Sequence, residues 1–170
     1  MSYVAHGLNA LLTIIFVFVL VKISTDILMS YSNPHAPFVQ AAAFRSSLEL
    51  VDCATRTMPL ISWYKIEKCI KTTELYNVSN GHVPYFRGSL PVAYVVMFAP
   101  HSVFATKFYQ QLDTVSQALV LIHECAHLAL KVDDIAYHWQ PQFQKLTMKE
   151  HLNNADSYLH AVKVRCTDIT

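Results

Sequence analysis

A five-residue segment in the second half of the chain carries the strongest chemical signal. It reads His123-Glu124-Cys125-Ala126-His127 and matches the pattern H-E-x-x-H. On a helix, histidines four residues apart lie on one face about one turn apart, so both imidazoles can reach the same metal ion. Glu124 stays within that turn, where its carboxylate can take a proton from an attacking water and pass it to a leaving amine. The segment predicts Zn²⁺ at His123 and His127, with Glu124 as general base.

The residues around this segment favour a metal site over a chance match. Apolar residues flank it at 119–122 and at 128–130. Two histidines and a glutamate would be costly to bury in such a helix without strong partners. The alternative is a buried helix whose histidines bond carbonyl groups and whose glutamate pairs with a lysine. We expect the metal site.

A catalytic zinc keeps three protein ligands and one open position, so a third ligand must follow the helix. Asp133 lies six residues after His127, the spacing at which metzincins place their third ligand. Glu150 would instead match the arrangement of gluzincins. The downstream side chains able to complete the site are Asp133, Asp134, His138, Glu150, His151 and Asp156.

Two further segments point to a known family. Residues 131–138 read KVDDIAYH, in which Asp134 and Tyr137 keep the Asp and the Tyr of the motif G-T-x-D-x-x-Y-G. Residues 153–158 read NNADSY and look like an Asn-Ala-Asp-x-Tyr segment. With H-E-x-x-H, D-x-x-Y and N-A-D-S-Y in this order over residues 91–158, the chain resembles the aspzincins, the deuterolysin and peptidyl-lysine metalloendopeptidase family.

The resemblance implies a zinc metalloendopeptidase that acts on peptide or protein substrates. It makes Asp134 the third ligand and Tyr137 a hydrogen-bond donor to the tetrahedral oxyanion. It also places Asp156 in an acidic pocket for the residue after the cut. Leu159 stands where lysine-specific relatives carry a second acidic residue, which argues against a preference for lysine.

The chain also departs from this family. The gap from His127 to Asp134 is short, and the glycine that eases the turn is missing. A non-glycine residue must then take any left-handed conformation, and Asp133 is the least costly choice. These departures favour an alternative, a non-catalytic secreted binding protein on a zincin-like scaffold. A third interpretation is a membrane-anchored structural protein in which H-E-x-x-H is accidental.

The elements that position these residues follow from hydrophobic periodicity. Residues 91–98 are rich in β-branched and aromatic side chains between two prolines, which indicates a strand. Residues 77–88 are rich in turn formers. Apolar residues at helical spacing predict helices over 38–57, 61–72, 113–131 and 145–164. We expect a zincin-like α+β fold over residues 34–170, mostly helical, with a small sheet lying on the H-E-x-x-H helix.

Composition narrows the class of protein further. The 170 residues carry a net charge of only +1, so no basic surface favours nucleic acid. An apolar block at 10–21 has the length of a signal-peptide core and falls short of a bilayer span. Residues 1–30 are therefore predicted to be a signal peptide or an N-terminal membrane anchor. We expect a secreted monomer, or one anchored on the extracellular face.

Four cysteines and the glycosylation sequence Asn77-Val78-Ser79 fit export from the cell. Cys53 with Cys69 would close a modest loop. Cys125 lies inside the predicted zinc helix and can pair with Cys166 or stay free. The sequence leaves these pairings open.

Overall fold

The computed structural model of the protein describes residues 37–58, 60–78, 91–96 and 101–167. The predicted leader at 1–30 and Ser79 lie outside these ranges. Within them, no helix combines the length and apolar character that crossing a bilayer requires. In chain order the elements are α1 (Pro37–Thr57), α2 (Ile61–Thr72), β1 (Glu74–Asn77), β2 (Ala93–Val95), β3 (Ser102–Ala105), α3 (Lys107–Gln110), α4 (Thr114–Leu130), a 3₁₀ turn (Phe143–Lys145), α5 (Met148–Leu152) and α6 (Ala155–Cys166).

The first two helices agree with the sequence prediction. Helix α1 begins one residue before the predicted start, and α2 has the predicted bounds. Helix α2 buries Trp63, Ile66 and Ile70, which are three and four residues apart and therefore lie on one face. That face packs against α1 and α4. Helical periodicity was sufficient here because each helix has one apolar side.

The sheet has three described strands in the order β1-β3-β2. Strand β1 runs parallel to β3, and β2 runs antiparallel to it. The predicted strand at 91–98 is present as β2, although it spans only three residues within the described part. Strands β1 and β3 were not predicted, because four residues are too few to show a clear alternation. Strand β2 therefore lies at one edge of these three strands.

Helix α4 is the centre of the fold. It spans nearly the predicted residues 113–131, and the Asp113 carboxylate caps its start by accepting a hydrogen bond from the Ser116 amide at 2.8 Å. The helix packs against α1, α2, α6 and β2. These contacts bury the first four residues of the H-E-x-x-H segment and leave His127 partly buried.

The predicted helix over 145–164 is wrong as a continuous element. The chain instead forms α5, breaks at Asn153 and Asn154, and continues as α6. Asn154 is fully buried, and its side-chain oxygen accepts hydrogen bonds from the amides of Ile135 at 2.8 Å and Ala136 at 3.2 Å. Hydrogen bonds from an asparagine side chain to backbone groups compete with the hydrogen bonds of a helix. The helix therefore breaks at Asn154, and the Asn154 side chain holds the loop that follows α4.

A disulfide joins Cys53 on α1 to Cys166 at the end of α6. The pairings of Cys53 with Cys69 and of Cys125 with Cys166 are therefore wrong, and the alternative that Cys125 stays free is the one the structure has. The packing of α1 on α6 brings the two bonded cysteines together although they are 113 residues apart. Cys69 and Cys125 are thiols.

Candidate metal centre

The two histidines of the H-E-x-x-H segment face each other across one turn of α4. Their Nε2 atoms are 3.2 Å apart, and His123 is 8% exposed. The Nδ1 atom of His127 lies 2.8 Å from the carbonyl oxygen of Val132. Since a carbonyl oxygen only accepts hydrogen bonds, Nδ1 of His127 must carry a proton. Its Nε2 atom, which faces His123, is then the atom that can bind a metal.

The chain reverses direction immediately after α4. Lys131 has φ 58° and ψ 36°, the left-handed conformation, and its amide donates to the His127 carbonyl at 3.1 Å. The expectation that Asp133 would take this conformation is wrong. The reversal occurs at the helix C-cap, where a left-handed residue satisfies the last carbonyl groups. It sends the following residues back over the histidines.

The structure separates the two candidate carboxylates. The amide of Asp133 donates to the Asn153 carbonyl at 3.0 Å, and the Asp133 side chain accepts from the Asn153 side-chain amide at 3.1 Å. Asp134 points the other way, with its Oδ1 atom 3.2 Å from Nε2 of His123 and 3.3 Å from Nε2 of His127. Alternation along this extended segment therefore brings Asp134, and not Asp133, to the imidazoles.

The spacing of the three donor atoms fits zinc. Ligand atoms about 2.0–2.1 Å from a tetrahedral zinc ion are about 3.3–3.4 Å apart. The three separations between His123 Nε2, His127 Nε2 and Asp134 Oδ1 are 3.2, 3.2 and 3.3 Å. Among the described residues, Oδ1 of Asp134 is buried and finds no hydrogen-bond donor in suitable geometry. A buried carboxylate oxygen facing two imidazole nitrogens is a suitable third ligand for a divalent cation.

The charges at the site depend strongly on one another. Burial raises the pKa of Asp134, but His123 and His127 outweigh it and hold this pKa well below its usual range. Burial opposes ionisation of His127, but the carboxylates of Asp134 and Glu124 raise its pKa to about 9. A cation that binds at neutral pH must therefore displace a proton from His127.

Glu124 borders a cavity of about 480 Å³ beside these three residues. It is 5% exposed, and burial raises its pKa, an effect that His123 and His127 only partly offset. Strand β2 forms another wall of this cavity. We call this space the cleft. The cleft is therefore lined by the Glu124 carboxylate, by the three residues that could bind a metal and by strand β2.

Tyr137 lies next to the third donor. Its hydroxyl donates to Oδ2 of Asp134 at 3.1 Å. Its ring is parallel to that of Trp139, with centroids 4.7 Å apart, and lies 6.2 Å from the ring of His123. Trp139 itself is 67% exposed. The phenol thus orients the Asp134 carboxylate and also lines the cleft.

Asp156 lies at the start of α6 beneath the Asp134 loop. It is 1% exposed, and its Oδ2 accepts hydrogen bonds from the amide and the Nδ1 atom of His138. It is not among the residues that line the cleft. Its predicted contact with substrate therefore stays a prediction, and its visible contact is with the loop.

Asn154 is the residue of the site that sequence reasoning missed. Besides its two contacts with loop amides, its side chain donates to the carbonyl of Ala136 at 2.8 Å. The signal that could have found it is its place at the start of the N-A-D-S-Y segment, two residues before Asp156, but the sequence prediction used only the aspartate of that segment. The pairing of Asn154 with the loop depends on the tertiary structure.

Comparison with known proteins bears on the fold. A solved structure of a zinc peptidase from Grifola frondosa is similar to this chain, with a TM-score of 0.53 and 16% sequence identity over 74% of this chain and 92% of that chain. No protein-family model and no curated protein matches the sequence. At this identity the likeness concerns the fold, and it confirms the predicted zincin-like α+β class. The chain shares its fold with that solved structure, in agreement with the resemblance that its motifs carry.

Proposed function

We propose that this protein is a zinc-dependent metalloendopeptidase. His123, His127 and Asp134 would hold the metal, and Glu124 would act as general base. The observation that carries the proposal is the triangle of donor atoms with edges of 3.2, 3.2 and 3.3 Å beside a buried glutamate. The zinc peptidase with a similar fold supports the same chemistry.

Glu124 has the properties of a proton acceptor. Zinc, when bound, acidifies water and polarises a carbonyl group. Because burial raises the pKa of Glu124, its carboxylate is a stronger base than an exposed glutamate and accepts a proton more readily. It then returns that proton to the nitrogen that leaves. No other carboxylate that lines the cleft is as deeply buried.

Tyr137 would stabilise the negative charge that develops on the substrate oxygen. Tyr137 lines the cleft, and its hydroxyl donates to Asp134 Oδ2 at 3.1 Å. A phenol in this place can turn from the carboxylate to a nearby oxyanion. The contact with Asp134 keeps the hydroxyl close to the site before the substrate arrives.

Strand β2 supplies a means of holding an extended peptide. It lies at the edge of the three described strands and lines the cleft through Ala93, Tyr94 and Val95. A peptide that adds to a strand edge gains main-chain hydrogen bonds and passes alongside the catalytic groups. The Cys53–Cys166 disulfide supports a secreted protein, because disulfides persist in oxidising compartments.

The test combines metal analysis with peptide cleavage. We expect about one zinc per folded chain and cleavage of internally quenched peptides that a chelator abolishes. Glu124→Gln should keep the zinc and lose most of the turnover, because it removes the base and leaves the ligands. Glu49→Gln, at an exposed position on α1, is the matched control and should cleave normally.

Two results would reject the proposal. If the purified folded protein binds no zinc, the metal site does not exist. If it binds zinc but neither it nor Glu49→Gln cleaves any peptide of a diverse library, the scaffold serves binding without catalysis, which is the alternative class.

A further inference from the structure

Two thiols meet on the side of α4 that faces α2. Cys125 lies in α4 between His123 and His127, and Cys69 lies near the end of α2. Their sulfur atoms are 2.7 Å apart. Even N–H···O hydrogen bonds between smaller atoms are about 2.9 Å long. The two sulfurs are therefore closer than ordinary non-bonded contact allows.

Cys69 is the thiol that a reagent can reach. It is half-buried and lines a second cavity of about 230 Å³ together with Lys65, Lys68 and His101. The Cys125 thiol, the Thr73 hydroxyl and the charge of Lys131 lower the pKa of Cys69 against the opposing effect of burial, and this favours the thiolate, which is the form that attacks disulfides. Cys125 is fully buried and its sulfur contacts that of Cys69. The arrangement provides an accessible attacking thiol with a buried resolving thiol in contact with it.

We propose that Cys69 and Cys125 form a second disulfide, which ties α2 to the helix that carries the two histidine ligands. The oxidant is a small-molecule disulfide or a disulfide oxidoreductase. The Cys69 thiolate attacks one sulfur of that disulfide and releases the other as a thiol. Cys125 then attacks the Cys69 sulfur and releases the second thiol. Two cysteine thiols are oxidised, the donor disulfide is reduced to two thiols, and the two cysteine protons go to those products.

The surroundings fit a covalent link better than a binding site. The Thr73 hydroxyl lies 3.3 Å from the Cys69 sulfur and 3.7 Å from the Cys125 sulfur, so a small polar group closes the contact from one side. The Cys53–Cys166 disulfide joins α1 to α6. A Cys69–Cys125 bond would join α2 to α4, and together the two bonds would fix four of the helices around the metal centre.

The first test needs no variant and is independent of peptidase activity. The full chain is produced in an oxidising compartment, unfolded in denaturant without reductant, and treated with iodoacetamide. We expect no labelled cysteine, and a peptide pair containing Cys69 and Cys125 that separates on reduction. Labelling of Cys69 and Cys125, with Cys53 and Cys166 protected, would overturn the proposal.

The second test isolates the new bond from the existing one. In a Cys53→Ala/Cys166→Ala background, a phosphine reductant should lower the melting temperature by about 10 °C. The reason is that a bond between Cys69 and Cys125 closes a loop, which restricts the unfolded chain until the bond is reduced. Adding Cys69→Ala should abolish this response to reductant. A reductant-independent melting temperature in the background variant would contradict the proposal.

Discussion

Zinc uptake by this site should depend steeply on pH because a proton competes for the same nitrogen. The pKa of His127 is raised to about 9 by Asp134 and Glu124, despite burial that opposes ionisation. Its Nδ1 atom is engaged with the carbonyl of Val132, so the competing proton is on Nε2, the atom that faces His123 and Asp134. At neutral pH the ring is therefore mostly charged, and a metal ion must replace that proton.

The size of the effect follows from the displaced proton. Below the raised pKa, apparent zinc affinity should increase about tenfold for each pH unit, or about 100-fold from about pH 6 to about pH 8. It should level off above about 9, where the ring is neutral. The stability of the metal-free protein should change with pH in the opposite direction. A pKa raised from 6.5 to about 9 gives stabilisation that is complete below 6.5 and lost as the pH rises through about 9.

Isothermal titration calorimetry measures the zinc affinity and the proton release that accompanies binding. Zinc titrations at several pH values in buffers with different ionisation enthalpies give the affinity and the number of protons released, expected to be about one near neutral pH. Asp134→Asn is the informative comparison, because a neutral amide no longer adds to the pKa of His127, which Glu124 and the Val132 carbonyl still raise. The affinity of this variant for zinc should be lower, and it should level off at a lower pH than in the wild type. Wild-type affinity that is the same at each pH would refute the argument that His127 is protonated.

Three further changes test the elements around the site. Asn154→Ala removes the acceptor of two loop amides, so denaturant titration should show a loss of about 2–3 kcal/mol of unfolding free energy, and zinc affinity should fall at least tenfold. The control Asn153→Ala, at an exposed position, should have a much smaller effect on both. Lys131→Gly should stabilise the protein by about 1 kcal/mol because glycine takes the left-handed conformation without strain, while Lys131→Ala should give no such gain in calorimetry. Tyr137→Phe should lower kcat about 100-fold with little change in KM if the hydroxyl stabilises the oxyanion, and an equal loss of zinc would instead show that it only orients Asp134.

The parts of this structure that the sequence predicted are those determined by local pattern. The bounds of α2 and α4 follow from apolar spacing, and Asp113 provides the capping signal that begins α4. The H-E-x-x-H spacing requires only a helix for both imidazoles to face one point. The zincin-like fold followed because these local signals occur in the expected order along the chain.

The parts that were missed depend on contacts between distant residues. The break before α6 exists because Asn154 bonds amides 18 and 19 residues earlier, a partner that periodicity cannot reveal. The left-handed residue was placed at Asp133 on intrinsic preference, but the helix terminus required it at Lys131. The Cys53–Cys166 pairing likewise depends on how α1 and α6 pack. In each case tertiary context determined which of several local alternatives was realised.

The third donor couples the metal centre to the C-terminal helices. Asp134 belongs to a loop with no regular structure, so its position depends on the contacts that the loop makes with the α5–α6 junction. Asn154 holds two of the loop amides and Asp156 accepts from the amide of His138. Helix α6 is in turn bonded to α1 by the disulfide. The histidines come from α4, and the position of the carboxylate depends on α6. Zinc can therefore bind all three donors only when α4 and α6 are folded and packed together, so the free energy of zinc binding stabilises that packing.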